Sequence, residues 1–216
     1  MARLTDNLDA IADRIRAVFA AKDAARERIL PLCREVIRYS SNAIRALHRQ
    51  EMDDARKMLE EARRLLDEVE KASADGGELV RHGFMTDAQK EYAEGCITLA
   101  LVNGKPPPSP EELRVDSVAY LHGLGEAVGE LRRYLLDSMR KGDLSRGEEL
   151  LSAMDDIYNI LVTVDFPDAI TGGLRRTTDM VRGVLEKTRS DLTLTIRQKE
   201  LENRLKDYDY EREDTE

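Results

Sequence analysis

Tryptophan is missing from this sequence, aromatic residues make up only 5% of its 216 positions, and it holds 2 cysteines and 3 histidines. So thin an aromatic supply suits long amphipathic helices better than a β-sandwich. Cys33 and Cys96 stand far apart with no CxxC spacing, so neither a zinc site nor a disulfide framework is signalled. A reducing cytoplasm is the simplest compartment for them. No apolar run approaches the ~20 residues that span a bilayer. Met1 to Ala12 carries acids rather than the apolar block of a signal peptide, so a soluble cytoplasmic protein with no membrane partner is expected. Positive charge is short as well: 34 Lys and Arg against 43 Asp and Glu leave a formal charge of −9. Taken whole, that balance opposes nucleic-acid binding, which needs clustered Lys and Arg.

What the sequence does contain is helical periodicity, with 41% hydrophobic and 36% charged residues. Apolar positions recur at helical spacing from Leu4 to about Arg49, and Pro31 should kink or divide that element. A second helix is expected from Glu51 to Lys71, stopping near Gly76 and Gly77. Thr86 or Asp87 can cap a third that ends at Val102, before the loop around Pro106, Pro107 and Pro108. Ser109, Pro110, Glu111 and Glu112 form a strong helix start, and the fourth helix should run to about Lys141. A fifth begins near Ser145, Pro167 interrupts it, and a sixth extends from near Thr171 to about Leu205. The expected fold is all-α, a single domain over residues 1–205 built as a bundle of six or seven mostly long helices. Residues 206–216 form a charged, fraying tail. Helices of such length suit oligomer contacts.

Four carboxylates stand out on spacing grounds. Glu91 and Glu94 lie three apart on the third helix, and Glu126 and Glu130 lie four apart on the fourth, so each pair shares a face. Facing pairs of this kind can hold Mg²⁺, a hard cation that takes oxygen ligands and activates water for attack on a phosphodiester. Spacing alone points first to a solvated surface, because Glu126 and Glu130 lie opposite the stripe of Leu121, Leu124, Val128, Leu131 and Leu135.

The neighbouring residues are more specific. Gly83 to Gly95, with Gln89, Glu91, Tyr92 and Glu94, resembles the glutamine-containing Glu-Tyr-x-Glu-Ala segment of TRAX proteins, a branch of the translin family. Tyr120 to Arg133 resembles that family's Tyr-Leu-x-Gly-x-x-Asp-x-x-Gly-Glu-Leu-x-Arg segment. The likeness extends upstream to Ile29 to Arg38 and downstream through Lys141, Gly142, Asp143 and Tyr158, and is greatest to archaeal-type members. It implies a translin-like fold, a hollow homo-oligomer resembling an octameric shell, and Mg²⁺- or Mn²⁺-dependent cleavage of single-stranded RNA. It also implies that Glu91, Glu94, Glu126 and Glu130 bind the metal and are the catalytic acids. Glu126 stands where the family has aspartate, one methylene shorter.

An acidic chain needs a local device to hold RNA, and one lies between Arg26 and Arg49. Six arginines (Arg26, Arg28, Arg34, Arg38, Arg45 and Arg49) face only two acids there, Glu27 and Glu35. At ~100° per residue, Arg34, Arg38, Arg45 and Arg49 fall within an arc of about 60°. Such a ridge can hold phosphates without reading bases, and the same pattern is what a solvated helix face paired with acids would show. Arg81 and His82 are weaker additional RNA contacts. His122, one turn before Glu126, is either an exposed helix histidine or a proton carrier for that acid. Cys96 reads as packed core, and Gly125 and Gly129 as places where a neighbouring helix approaches closely.

Three functions follow. The first is a metal-dependent endoribonuclease subunit. The second is a non-catalytic, translin-like subunit binding single-stranded RNA or DNA, and the third is a helical scaffold for protein partners.

Overall fold

The structure, a computed structural model, describes residue 5 and residues 7–74 and 83–213. Among them there are eight helices and no strand: α1 (Leu8–His48), α2 (Met52–Ala74), α3 (Phe84–Val102), α4 (Pro110–Leu113), α5 (Ser117–Arg140), α6 (Gly147–Thr163), α7 (Asp168–Thr171) and α8 (Leu174–Glu213). The all-α expectation holds, and no described helix is long and apolar enough to cross a membrane. The chain forms two compact units. One holds α1, α2, most of α3 and the chain from Pro108 to Gly123; the other holds residues 100–107 and the chain from Leu124 onward. Helix α5 is continuous through the boundary.

In the first unit α1 and α2 form a helical hairpin. The turn is tight: Gln50 takes a positive φ of 66°, and Glu51 N–H donates back to the Ala46 carbonyl at 2.9 Å. Apolar residues then meet at alternating steps of three and four. Ile29, Cys33, Val36, Ala43 and Leu47 are buried on α1, and Ala55, Leu59, Ala62, Leu66 and Val69 on α2. That spacing keeps one stripe of each helix on its neighbour. Pro31 neither divides nor ends α1. Proline and Glu27, whose carbonyl loses its intrahelical donor, are both exposed, so water can take the place of the missing N–H.

The helix expected from Ser109 to Lys141 is broken in two. Its start matches the sequence pattern: Ser109 and Glu112 make a reciprocal capping box, with Glu112 N–H to Ser109 Oγ at 3.2 Å and Ser109 N–H to Glu112 Oε2 at 2.7 Å. After one turn Arg114 enters the left-handed region with φ 53°, a rare conformation for a side chain with a Cβ. Arg63 of α2 holds the break. Its guanidinium donates to the carbonyls of Leu113 at 2.8 Å and Arg114 at 3.2 Å, and pairs with Asp67 and Glu70, each at 2.7 Å. Helix α5 restarts where the Asp116 carboxylate accepts from Val118 N–H at 2.8 Å, and buried Gln89 of α3 accepts from Asp116 N–H at 3.1 Å.

In the second unit α6 packs on α8 through Leu150, Met154 and Leu161 on one side and Leu174, Val181, Leu185 and Leu192 on the other, all buried. Arg132 of α5 donates to Asp191 at 2.7 Å and Thr188 at 3.0 Å on α8. Two consecutive glycines with positive φ, Gly172 and Gly173, separate the single turn of α7 from α8. Helix α8 runs on to Glu213, past the expected end at Leu205.

Arg63 satisfies two carboxylates and two carbonyls at once, so Arg63→Ala should lower the free energy of unfolding by about 2–3 kcal/mol near neutral pH. Burial pushes the Asp67 carboxyl up, but hydrogen bonds from Arg63 and Arg114 outweigh it and hold the group below its ordinary range. The Asp67 contribution is therefore complete above the unfolded pKa of ~3.9 and is lost as pH falls through the lower folded value. Denaturant unfolding of wild type and variant, stepped from pH 7 towards pH 3, checks this: the gap between them should narrow in acid, and a constant gap would refute it.

Candidate metal centre

Helix α3 is packed on nearly every side. Ala88, Gln89, Tyr92, Ala93, Glu94, Ile97 and Thr98 are all buried, and a Cβ at Gly95 would come 2.8 Å from Leu59 of α2. Glu94 is thus a carboxylate on a buried helix, with 8% of its surface exposed. Such burial is costly for a charge unless it is paired or coordinated.

The first turns of α5 pass this surface at backbone distance. A Cβ at Gly123 would lie 2.7 Å from the Lys90 carbonyl oxygen and 3.0 Å from both the Glu94 nitrogen and the Ala93 Cβ. One turn further along the same helix comes Glu126. Glu91, Glu94 and Glu126 each offer a carboxylate oxygen, and these three atoms lie within 4.8 Å of one another. Glu130, a turn beyond, falls outside that group; Arg133 stands 4.0 Å from its carboxylate. Of the stripe expected opposite the acids, Leu124, Val128, Leu131 and Leu135 are buried and Leu121 is half-buried. Glu126 and Glu130 themselves are half-buried rather than fully exposed.

The donor set suits a hard divalent ion. Oxygens sharing one octahedral Mg²⁺ at ~2.1 Å sit about 3–4 Å apart, so rotation of the side chains closes the group. All three donors are carboxylate oxygens, the chemistry Mg²⁺ or Mn²⁺ requires. Lys90, with its ammonium 3.6 Å from Glu91, is a neighbour that the sequence does not flag, because adjacent opposite charges on a helix are too common to signal anything. His122 is half-buried one turn before Glu126.

The thiols take no part. Burial, reinforced by the Asp87 charge, pushes Cys33 up to about 11. Burial likewise raises Cys96 to about 12, against a hydrogen bond with the Tyr92 hydroxyl. Both stay protonated at neutral pH, and a thiol rather than a thiolate is a poor nucleophile.

On α1 the four expected ridge residues, Arg34, Arg38, Arg45 and Arg49, are all exposed, while Cys33, Ser40, Ile44 and Leu47 beside them are buried. Arg38 pairs with Glu35 and lies over the Tyr39 ring at 5.5 Å. Arg45 donates to Asn42 at 3.1 Å, and Arg49 pairs with Glu51 at 2.7 Å. These partners are local, each within three residues of its arginine, and their hydrogen bonds lie at the surface, so they compete weakly with a phosphate. Arg81 and His82 lie outside the described residues.

No protein-family model matches the chain. It is 32% identical over 190 residues to an uncharacterized protein of Methanocaldococcus jannaschii, a match covering 87% of this chain and 83% of that protein. It is also 32% identical to AfC3PO, solved in complex with duplex RNA, with a TM-score of 0.76 over 88% of this chain and 96% of that one. Apo-NeC3PO, at 20% identity and a TM-score of 0.74 over 90% and 100% of the two chains, shares the fold.

The backbone approach at Gly123 sets a test. Gly123→Ala should cost about 1–3 kcal/mol of stability, because the clash is with main chain that cannot step aside. Gly183→Ala should carry no such cost, since its added Cβ meets no heavy atom within 4 Å. Equilibrium unfolding of both variants decides, and equal losses would count against the rigid crossing.

Proposed function

The chain belongs to the translin family, and on that premise we propose that it is a TRAX-like endoribonuclease subunit that cuts single-stranded RNA with Mg²⁺ or Mn²⁺. The observation that carries the reading is the meeting of three carboxylate oxygens, from Glu91, Glu94 and Glu126, within 4.8 Å. Glu130, next on the same face of α5, completes the proposed set from one turn away. A divalent ion held there would supply Lewis acidity and an activated water for attack on the phosphodiester.

The chain's own residues divide the remaining work. Buried Glu94 is the fixed ligand, because a helix packed on nearly every side leaves its side chain little freedom. Half-buried Glu91 and Glu126 border solvent, where a substrate phosphate can arrive. Glu126 is one methylene longer than the aspartate of the family pattern, and the extra reach is what α5 has available to close the group. Arg34, Arg38, Arg45 and Arg49 hold the strand through its phosphates, and with few exposed aromatics among the described residues the chain has little means of reading bases. The subunits would assemble as a homo-oligomer. Exposed Leu8, Ile15, Val18 and Phe19 on α1, and Ile160, Val162, Phe166 and Ile170 around α6 and α7, are the apolar surface that other subunits would cover.

A second reading, an RNA-binding subunit without catalysis, draws on AfC3PO having been solved with duplex RNA. Both single strands and duplexes therefore belong in the assay.

Two outcomes test the nuclease. With Mn²⁺ or Mg²⁺ present, the wild type should shorten unstructured RNA. Glu94→Gln and Glu126→Ala should each lower the rate by about a hundredfold or more while RNA affinity is kept; full activity in either variant would leave only the binding role. Separately, replacing Arg38 and Arg45 together by Ala should weaken RNA binding and reduce the slope of log affinity against log salt by about 0.7 for each phosphate no longer neutralised. An unchanged slope in a filter-binding titration would remove these arginines from the RNA path.

A further inference from the structure

Helix α5 contains three glycines, and packing explains only two. Gly123 admits the backbone of α3, and Gly125 admits Thr177 of α8, whereas a Cβ at Gly129 would meet no heavy atom within 4 Å. A glycine in a helix interior is destabilising relative to alanine, and nothing among the described residues accounts for accepting that loss at Gly129. Its position suggests the reason. At ~100° per residue, Gly129 lies about 60° around the helix from Glu126, and Arg133 falls between them, one turn on. Glu126, Gly129, Glu130 and Arg133 thus share one face, and Arg133 presents an exposed guanidinium there, with 58% of its side chain accessible.

We propose that Gly129 is left without a side chain so that the sugar–phosphate backbone of an RNA strand can lie directly against α5, between Glu126 and Arg133. The inference rests on the nuclease reading and adds to it the path of the substrate past the acids. Removing the Cβ brings a ligand closer to a helix by roughly the depth of a methyl group, which matters where the phosphate must reach Glu126. Arg133 then supplies a fork of donors to the adjoining phosphate.

The experiment compares Gly129→Ala and Gly129→Leu with Gly183→Ala, a substitution in the interior of α8 at a glycine whose added Cβ likewise meets nothing within 4 Å. Full-length protein is measured for thermal midpoint, oligomer mass, Mn²⁺ affinity by calorimetry, affinity for unstructured RNA with Ca²⁺ in place of Mn²⁺, and cleavage with Mn²⁺. Gly129→Ala and Gly183→Ala should each raise the midpoint by about 2–4 °C. Gly129→Ala should weaken RNA binding and cleavage about tenfold and Gly129→Leu further, with Mn²⁺ affinity and oligomer mass unchanged and Gly183→Ala like the wild type throughout. RNA binding and cleavage unaffected by both Gly129 variants would overturn the proposal. So would a loss that accompanies dissociation of the oligomer, which would assign the gap to a subunit interface. A wild type that neither binds nor cuts RNA would sink the nuclease reading itself, and this inference with it.

Discussion

The absence of a side chain at Gly123 is the constraint on which the candidate centre depends. Carboxylates on two separate helices share an ion only if the helix axes come close, and ordinary side chains hold axes 8–10 Å apart. At Gly123 the would-be Cβ is 2.7 Å from a carbonyl oxygen of α3, so the approach is fixed by main chain against main chain. Tolerance at such a crossing is small, because neither backbone has a rotamer to change. The capping of α5 serves the same end. Asp116 caps the helix through Val118 N–H and is itself gripped by Gln89 from α3, so the helix that carries Glu126 starts from a point tied to the helix that carries Glu91 and Glu94.

Arg63 anchors the other side of this arrangement. By holding the carbonyls of Leu113 and Arg114 it stabilises the break between α4 and α5, and without that break the helix begun at Ser109 would continue in another direction. Its guanidinium also lies 5.8 Å from the Tyr92 ring centre, so one half-buried cation ties the start of α5 to α3, the helix that carries Glu91 and Glu94. Arginine suits the task because it fills a planar fork with two carboxylates and two carbonyls, where lysine would offer three donors from a single point.

Much of the fold was legible because it follows from periodicity. The buried stripes of α1, α2 and α5 appear in the sequence at steps of three and four, and the capping box at Ser109 is a local pattern with a local cause. The break at Arg114 was not legible, since it depends on Arg63, 51 positions away and unremarkable on its own helix. That Pro31 leaves α1 undivided was not legible for a related reason: whether a proline divides a helix depends on whether the freed carbonyl can reach water, which only burial reveals. For the site, spacing left Glu126 and Glu130 on a solvated face, and the family resemblance alone singled them out. The structure brings Glu126 to Glu91 and Glu94 and leaves Glu130 a turn away. Gly125 was rightly read as a close approach and Gly129 was not, since a Cβ there meets nothing within 4 Å, while Gly123, where the neighbour is main chain, looked no different from either in sequence.

A formal charge of −9 is compatible with holding RNA because charge acts locally. At physiological ionic strength, interactions fade over ~8 Å, so a phosphate beside Arg38 or Arg45 experiences that ridge rather than the acidic total. The three-acid cluster is the opposite case. Unliganded, it places up to three negative charges within a few ångströms and repels any phosphate that approaches. A bound divalent cation cancels most of that charge, leaving the arginines to position the strand. On the proposed reading, the ion must therefore be in place before the scissile phosphate can approach productively, and the acids that would repel RNA in an ion-free chain become the means of holding it near the reactive water.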